Sequence, residues 1–272
     1  VRHGLFLPPF DELADPHRLV ELAVLAESSG WDGVFLWDHL TYPAPVTAII
    51  DPYVCLSAIA AATSRIALGP MITPLTKRTL AVVVRQALAL DALSRGRLIM
   101  GFGLGDDPPI GERDQPLHAL GGGDRGRALS EAVALFRALQ RGETTPHDGE
   151  YYHVPAQSFV GGAPEARDVP IWLGVRWGHV APLRRAAGYD GAFAIFLDAP
   201  NNVAAIRATL REAGADLQHF DVVVWSGGID AADANEWAEA GVTWLLRGAG
   251  PFNLRFQEIR DQIAAGPRRE NT

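Results

Sequence analysis

Asp32-Gly-Val-Phe-Leu-Trp-Asp-His39 is a short apolar run that stops at an acid and an imidazole. Residues 33–36 show no polar alternation, which predicts a strand buried on both faces. Ligands of parallel α/β proteins bind at the carboxyl edge of such strands, so Trp37, Asp38 and His39 are site candidates. Adjacent side chains on extended backbone point to opposite faces, so Asp38 and His39 are not read as a dyad. His39, of a residue type whose unperturbed pKa is about 6.5, is the expected proton-transfer group. Asp38 is given a positioning or capping role.

Outward from this run the chain alternates apolar stretches with amphipathic helices. Further strands are expected at 2–7, 66–72, 98–105, 170–175, 191–196, 221–225 and 242–246. Asp15-Pro16 and Asp51-Pro52 open helices, because aspartate accepts from free amides and proline suits the first turn. Gly30 closes the first helix and the second ends near residue 63. Others are expected from about 80 to 96, up to about 140, and at 179–187, 201–213, 231–240 and 252–264. Eight strands and eight helices in strict succession predict an α/β fold, a (β/α)8 TIM barrel, as a single domain over 1–272. A doubly wound sheet is the alternative. Insertions follow strand four (106–126) and precede strand five (141–169). The second contains Gly149-Glu-Tyr-Tyr-His-Val154, read as a surface hairpin with His147 and His153 solvated.

The net charge of −8 argues against nucleic acid and anionic membranes as partners. No stretch reads as an export signal or a membrane span, and the compartment reading is cytoplasmic. The one cysteine, Cys55, lies in an alanine-rich helical pattern and is read as a core residue. Eight scattered histidines without a His-Glu-x-x-His pattern predict no metal site. Lys77 is the chain's one lysine, which disfavours a Schiff-base lyase or isomerase.

Three other strand ends draw attention. Leu68-Gly-Pro-Met-Ile-Thr-Pro-Leu75 places a glycine and two prolines around the end of strand three. That implies a bulge or an unusual peptide bond, forming a backbone ridge against which a flat ring can lie, at Met71 and Ile72. In Gly101-Phe-Gly-Leu-Gly-Asp106 the alternate glycines, Gly101 and Gly103 among them, leave one face open to a planar ligand. The spacing differs from the dinucleotide fingerprint. Leu173-Gly-Val-Arg-Trp-Gly-His179 leads into a helix, so Gly174, Arg176, Trp177 and Gly178 form a candidate phosphate seat.

Together these pieces resemble the bacterial luciferase-like family of flavin- and deazaflavin-dependent oxidoreductases. The matching segments are Gly30-Trp-Asp-Gly33 with Trp37-Asp38-His39, Ile66-Ala-Leu-Gly69 with Thr73-Pro74, and Gln86 with Asp91-Ala-Leu-Ser-Arg-Gly-Arg-Leu98. Gly101-Phe-Gly-Leu-Gly105, Gly149-Glu-Tyr-Tyr152, Pro170-Ile-Trp-Leu-Gly174 and Ala186-Ala-Gly-Tyr-Asp-Gly191 follow in family order. The resemblance implies a (β/α)8 barrel that holds FMN or coenzyme F-420 at its carboxyl mouth, with a cis peptide near Met71–Ile72. It implies a phosphate site in the loop matching 174–178 and His39 as acid/base beside the ring. The leading expectation is an FMN-dependent monooxygenase acting on a small organic substrate, its flavin reduced by a separate flavin reductase. The alternatives are hydride transfer with coenzyme F-420 and a non-catalytic flavin-binding barrel. A homodimer is the expected assembly. Many deazaflavin-using relatives carry an aromatic-Asn pair or an acid at a set place after the strand-four glycines, where this chain has Asp106-Asp107-Pro108.

Overall fold

The fold follows from which apolar runs pair and where one of them breaks. A computed structural model describes residues 1–105, 122–142, 146–156, 168–197, 199–228 and 234–268. The strands are β1 (Arg2–Leu7), β2 (Gly33–Leu36), β3 (Ala67–Pro70), β4 (Thr73–Pro74), β5 (Met100–Gly103), β6 (His147–Asp148), β7 (His153–Val154), β8 (Ile171–Arg176), β9 (Gly191–Ile195), β10 (Asp221–Trp225) and β11 (Trp244–Arg247). The helices are α1 (Pro16–Ser28), α2 (Pro52–Ala62), α3 (Leu80–Ser94), α4 (Gly122–Gln140), α5 (Val180–Ala186), α6 (Asn202–Glu212), α7 (Ala234–Glu239) and α8 (Phe256–Ala264).

Nine strands form one parallel sheet in the order β3-β2-β1-β11-β10-β9-β8-β5-β4. Its two ends, β3 and β4, are separated in the chain by Met71 and Ile72 alone, so the sheet is a nearly closed barrel. Closure is made by a parallel bridge from Leu68 to Leu98, with Ile99 N–H donating to the Leu68 carbonyl at 2.9 Å. A Cβ on Gly69 would fall 1.8 Å from the Ile99 carbonyl oxygen, so the seam forms at backbone contact distance. The strand expected over 66–72 thus ends at Pro70, and a second short strand follows at Thr73–Pro74. The first pairs with β2, the second with β5, and Met71–Ile72 lies between them.

Ring contacts between strands that are not neighbours show what fills the interior. Phe35 of β2 lies 5.2 Å from Trp172 of β8 and 5.7 Å from Trp244 of β11, centroid to centroid. Nearer the carboxyl end, Phe6 of β1 meets Phe193 of β9 at 5.3 Å and Trp225 of β10 at 5.7 Å. The helices bury their apolar stripes against the outside of the sheet. Asp15 and Asp51 accept from His17 N–H and Val54 N–H as the capping signals require. The last helix begins at Phe256, four residues later than expected. Asn253 adopts a left-handed conformation, and the Phe256 amide donates to Glu12 at 2.9 Å, fixing the helix start. The β6–β7 hairpin sits on α4: Glu131 accepts from the amides of Tyr151 and Tyr152 and pairs with His147. His147 is thus held in a contact rather than freely solvated, whereas His153 is exposed. Among the described residues, no helix is long and apolar enough to cross a membrane.

Glu27, at the end of α1, seats the start of the third strand by accepting from the amides of Ser64, Arg65 and Ile66 at 3.0, 2.6 and 2.8 Å. Burial raises its pKa, but these amides outweigh it and lower the value from 4.5 to about 2. A depressed carboxylate stabilises the fold above its unfolded pKa and loses that contribution as pH falls through its folded pKa. Glu27→Gln should therefore unfold more easily than the parent at pH 7. The gap should narrow between pH 4.5 and about 2 in urea titrations across that range.

Candidate active site

Every strand of the barrel runs the same way, so the ends of β2, β3, β4, β5 and β8 open on one mouth. At the end of β2 the chain stays hydrogen-bonded to both neighbours: Trp37 N–H donates to Leu7 and Met71 N–H to Leu36. From there successive side chains diverge as the extended backbone requires. Trp37 turns inward against Phe6 at 5.0 Å and Trp225 at 6.0 Å. His39, partly exposed, lies against Phe10 at 6.1 Å, Trp37 at 6.0 Å and Tyr42 at 5.1 Å. Asp38 takes the other side, with a side chain that is fully buried.

Asp38 anchors a polar network. Thr73 Oγ1 donates to its Oδ2 at 2.7 Å, and Arg78 Nη2 donates to its Oδ1. The Thr73 proton is thereby committed, so the 2.8 Å contact between Tyr53 and Thr73 must be donated by the Tyr53 hydroxyl. The Arg78 guanidinium also lies 5.6 Å from the Tyr53 ring centre. Burial pushes the Asp38 carboxyl up, and Arg78 and Thr73 oppose it. Burial likewise raises the Tyr53 phenol, reinforced by the nearby Asp38. This network ties β2 to β4, α2 and the residue leading into α3. Arg78 and Tyr53 were not singled out from sequence, and Thr73 entered only as part of the family-matching pair Thr73-Pro74. A buried strand-end acid demands a cation, but nothing local says which of 24 basic residues supplies it.

The break in the third strand contains a cis peptide bond at Met71–Ile72. Three glycines make room for this step. A Cβ at Gly101 would lie 2.4 Å from Met71 Sδ and 2.8 Å from the Pro70 carbonyl. One at Gly103 would lie 2.9 Å from Ile72 Cγ2, and one at Gly174 2.2 Å from Ile72 Cδ1. Met71 and Ile72 thus fill the Cβ side of Gly101 and Gly103, the face expected to lie open to a planar ligand. Gly174 likewise lies within β8, facing Ile72. Met71 is buried, whereas Ile72 is partly exposed.

Arg176 closes β8, exposed, with its guanidinium 4.7 Å from the Phe196 ring centre. Phe196 is itself 55% exposed at φ 60°, an uncommon backbone region for a bulky side chain. Trp177 N–H donates to Ile195, and Gly178 at φ 88° turns the chain toward α5. Nothing lies within 4 Å of a Cβ on Gly178, so the space there is open. Cys55 is fully buried and its thiol is pushed up to about 11 by burial, consistent with a core residue. Asp106, Asp107 and Pro108 lie outside the described residues. Among the described residues, no group of three or more His, Cys, Asp or Glu side chains is placed to hold a metal.

Removing one member of a buried ion pair leaves the other charged and unpaired. Arg78→Ala should lower stability by about 3 kcal/mol in denaturant unfolding. In the Asp38→Asn background the same change should cost much less, because no buried carboxylate is left behind. Equal costs in the two backgrounds would contradict the coupling.

Known proteins share this fold and much of this sequence pattern. The chain is 39% identical over 161 residues to the F420-dependent glucose-6-phosphate dehydrogenase of Beutenbergia cavernae, covering 58% of this chain and 46% of that protein. It spans roughly half to two thirds of the length of the curated relatives it matches. Its fold superposes on the coenzyme F420 dependent tetrahydromethanopterin reductase of Methanopyrus kandleri with a TM-score of 0.76, at 17% identity and 98% coverage of both chains. It superposes on the 3,6-diketocamphane monooxygenase oxygenating constituent of Pseudomonas putida, solved with FMN, with a TM-score of 0.70. That match is 17% identical and covers 85% of this chain and 68% of the other. The family model for luciferase-like monooxygenases matches residues 3–272, and the chain belongs to that family.

Proposed function

We propose that this chain is an oxidoreductase that moves a hydride between coenzyme F-420 and a small organic substrate, with His39 as the acid/base. The observation that carries the reading is the position of His39, partly exposed at the barrel mouth and one strand away from the Met71–Ile72 step. The residues suit a cofactor with a flat ring and a phosphate arm. Ile72, backed by Gly103 and Gly174, offers a part-exposed apolar ledge for the ring. Arg176, Trp177 and Gly178 offer an exposed cation beside open backbone for the phosphate. When bound, the deazaflavin would accept or donate the hydride. His39 would take the proton from a substrate hydroxyl or return it to a carbonyl oxygen. The aromatic rings around His39 would hold its imidazole in place and exclude water.

Relatives named as F420-dependent support the deazaflavin over FMN, the leading expectation from sequence. The FMN-dependent monooxygenase is kept as a second reading because FMN-containing monooxygenases share the fold. That reading would require a separate flavin reductase. Under either, the chain is read as one unit over 1–272, cytoplasmic and homodimeric.

The test is to titrate purified protein separately with FMN and coenzyme F-420, following cofactor absorbance and fluorescence. Preferential binding of coenzyme F-420 is expected, and tight binding of neither would overturn the oxidoreductase reading. Arg176→Ala should weaken binding about tenfold. His39→Ala should leave binding near the parent value and slow turnover by about 100-fold.

A further inference from the structure

The cofactor groups proposed above lie along β3, β4, β5 and β8, which leaves the half of the mouth formed by β1, β2, β9, β10 and β11 for the substrate. That half is built of aromatic rings. Phe6, Phe193 and Trp225 meet across the interior at its floor, and Trp37 stacks onto them. Above them Tyr42 lies 5.1 Å from His39 and 6.0 Å from Phe252. Phe252 is 44% exposed and Trp225 is partly exposed, so the wall faces the opening rather than the sealed core.

The chain segments that supply this wall carry no lysine or arginine of their own, although Arg176 stacks on Phe196 of one segment and Arg247 of β11 directly precedes another. Residues 6–10, 37–42, 193–197, 225–228 and 248–254 contain neither lysine nor arginine. The single lysine, Lys77, lies just after β4 and lines a pocket with Leu40 and Arg78, on the side of the β2 end to which Asp38 turns. The one carboxylate of these segments in the described structure, Asp38, is turned away into its pair with Arg78. Recognition of a phosphorylated or carboxylated substrate needs charge-assisted donors, which are the strong contacts for such groups. Aromatic walls instead bind flat or apolar bodies by area and ring packing.

We infer that this mouth takes a neutral substrate with an apolar or aromatic body, whose hydroxyl or carbonyl oxygen is presented to His39, and not a sugar phosphate. The inference rests on the oxidoreductase reading for the role of His39. The wall itself can be tested without turnover.

Acetophenone and glucose 6-phosphate serve as probes, titrated calorimetrically into the full chain with and without bound coenzyme F-420. Acetophenone should bind in both states, and glucose 6-phosphate should give no heat of binding up to about 10 mM. Trp225→Ala and Phe252→Ala should each weaken acetophenone binding about fivefold. Phe252, being exposed, can be replaced with little risk to folding. Binding of glucose 6-phosphate, binding of neither probe, or acetophenone affinity unchanged in both variants would each overturn the inference. Loss of cofactor binding with acetophenone binding intact would instead overturn the oxidoreductase reading and leave the aromatic wall standing.

Discussion

The barrel closes through a strand that is cut in two, and the rest of the mouth is arranged around that cut. The first half belongs to β2 and the second to β5, so the chain must step sideways between them at Met71–Ile72. Protein interiors are close-packed, so such a step needs volume that its neighbours give up. Gly101, Gly103 and Gly174 supply it, two from β5 and one from β8. Three glycines on two strands are thus consequences of one feature in a third.

The same step is fixed from the other side by charge. Asp38 lies one residue past Trp37 at the end of β2, and its partners Thr73 and Arg78 lie just beyond the step. The pair is buried, and Tyr53 on α2 extends the chain of hydrogen bonds outward. Burial alone would make that carboxylate costly. With two donors in place it becomes a joint that specifies how β2 and β4 sit relative to each other. His39, the next residue, inherits its direction from that joint. Acid and imidazole are neighbours in sequence and serve different faces of one strand end.

The mouth therefore divides into two halves of different chemistry. One side is a ledge with a part-exposed isoleucine and, further round, an exposed arginine stacked on Phe196. The other is a wall of rings that begins in the barrel interior and continues to the opening. His39 stands between them. A fold shared by many enzymes says little about which molecule enters. The asymmetry of this mouth comes from its side chains and not from the barrel itself.

Much of this was legible in the sequence. Apolar runs without alternation marked β1, β2 and β10 to the residue. Asp15-Pro16 and Asp51-Pro52 marked two helix starts, because these signals are local and act within one turn. His39 and the disturbed end of strand three were visible for the same reason. What needed the tertiary structure was every relation between distant segments. Gly101 looked like a ligand-facing glycine until Met71 was found in its space. Arg78 is 40 residues from Asp38, and no local pattern pairs them. The start of α8 waits on Glu12 from the other end of the chain. The sequence by itself determined the order and kind of the elements, because backbone preference and burial pattern are properties of neighbouring residues. Only the tertiary structure decided which side chains share the mouth, because closure of the barrel brings together strands that the chain keeps far apart.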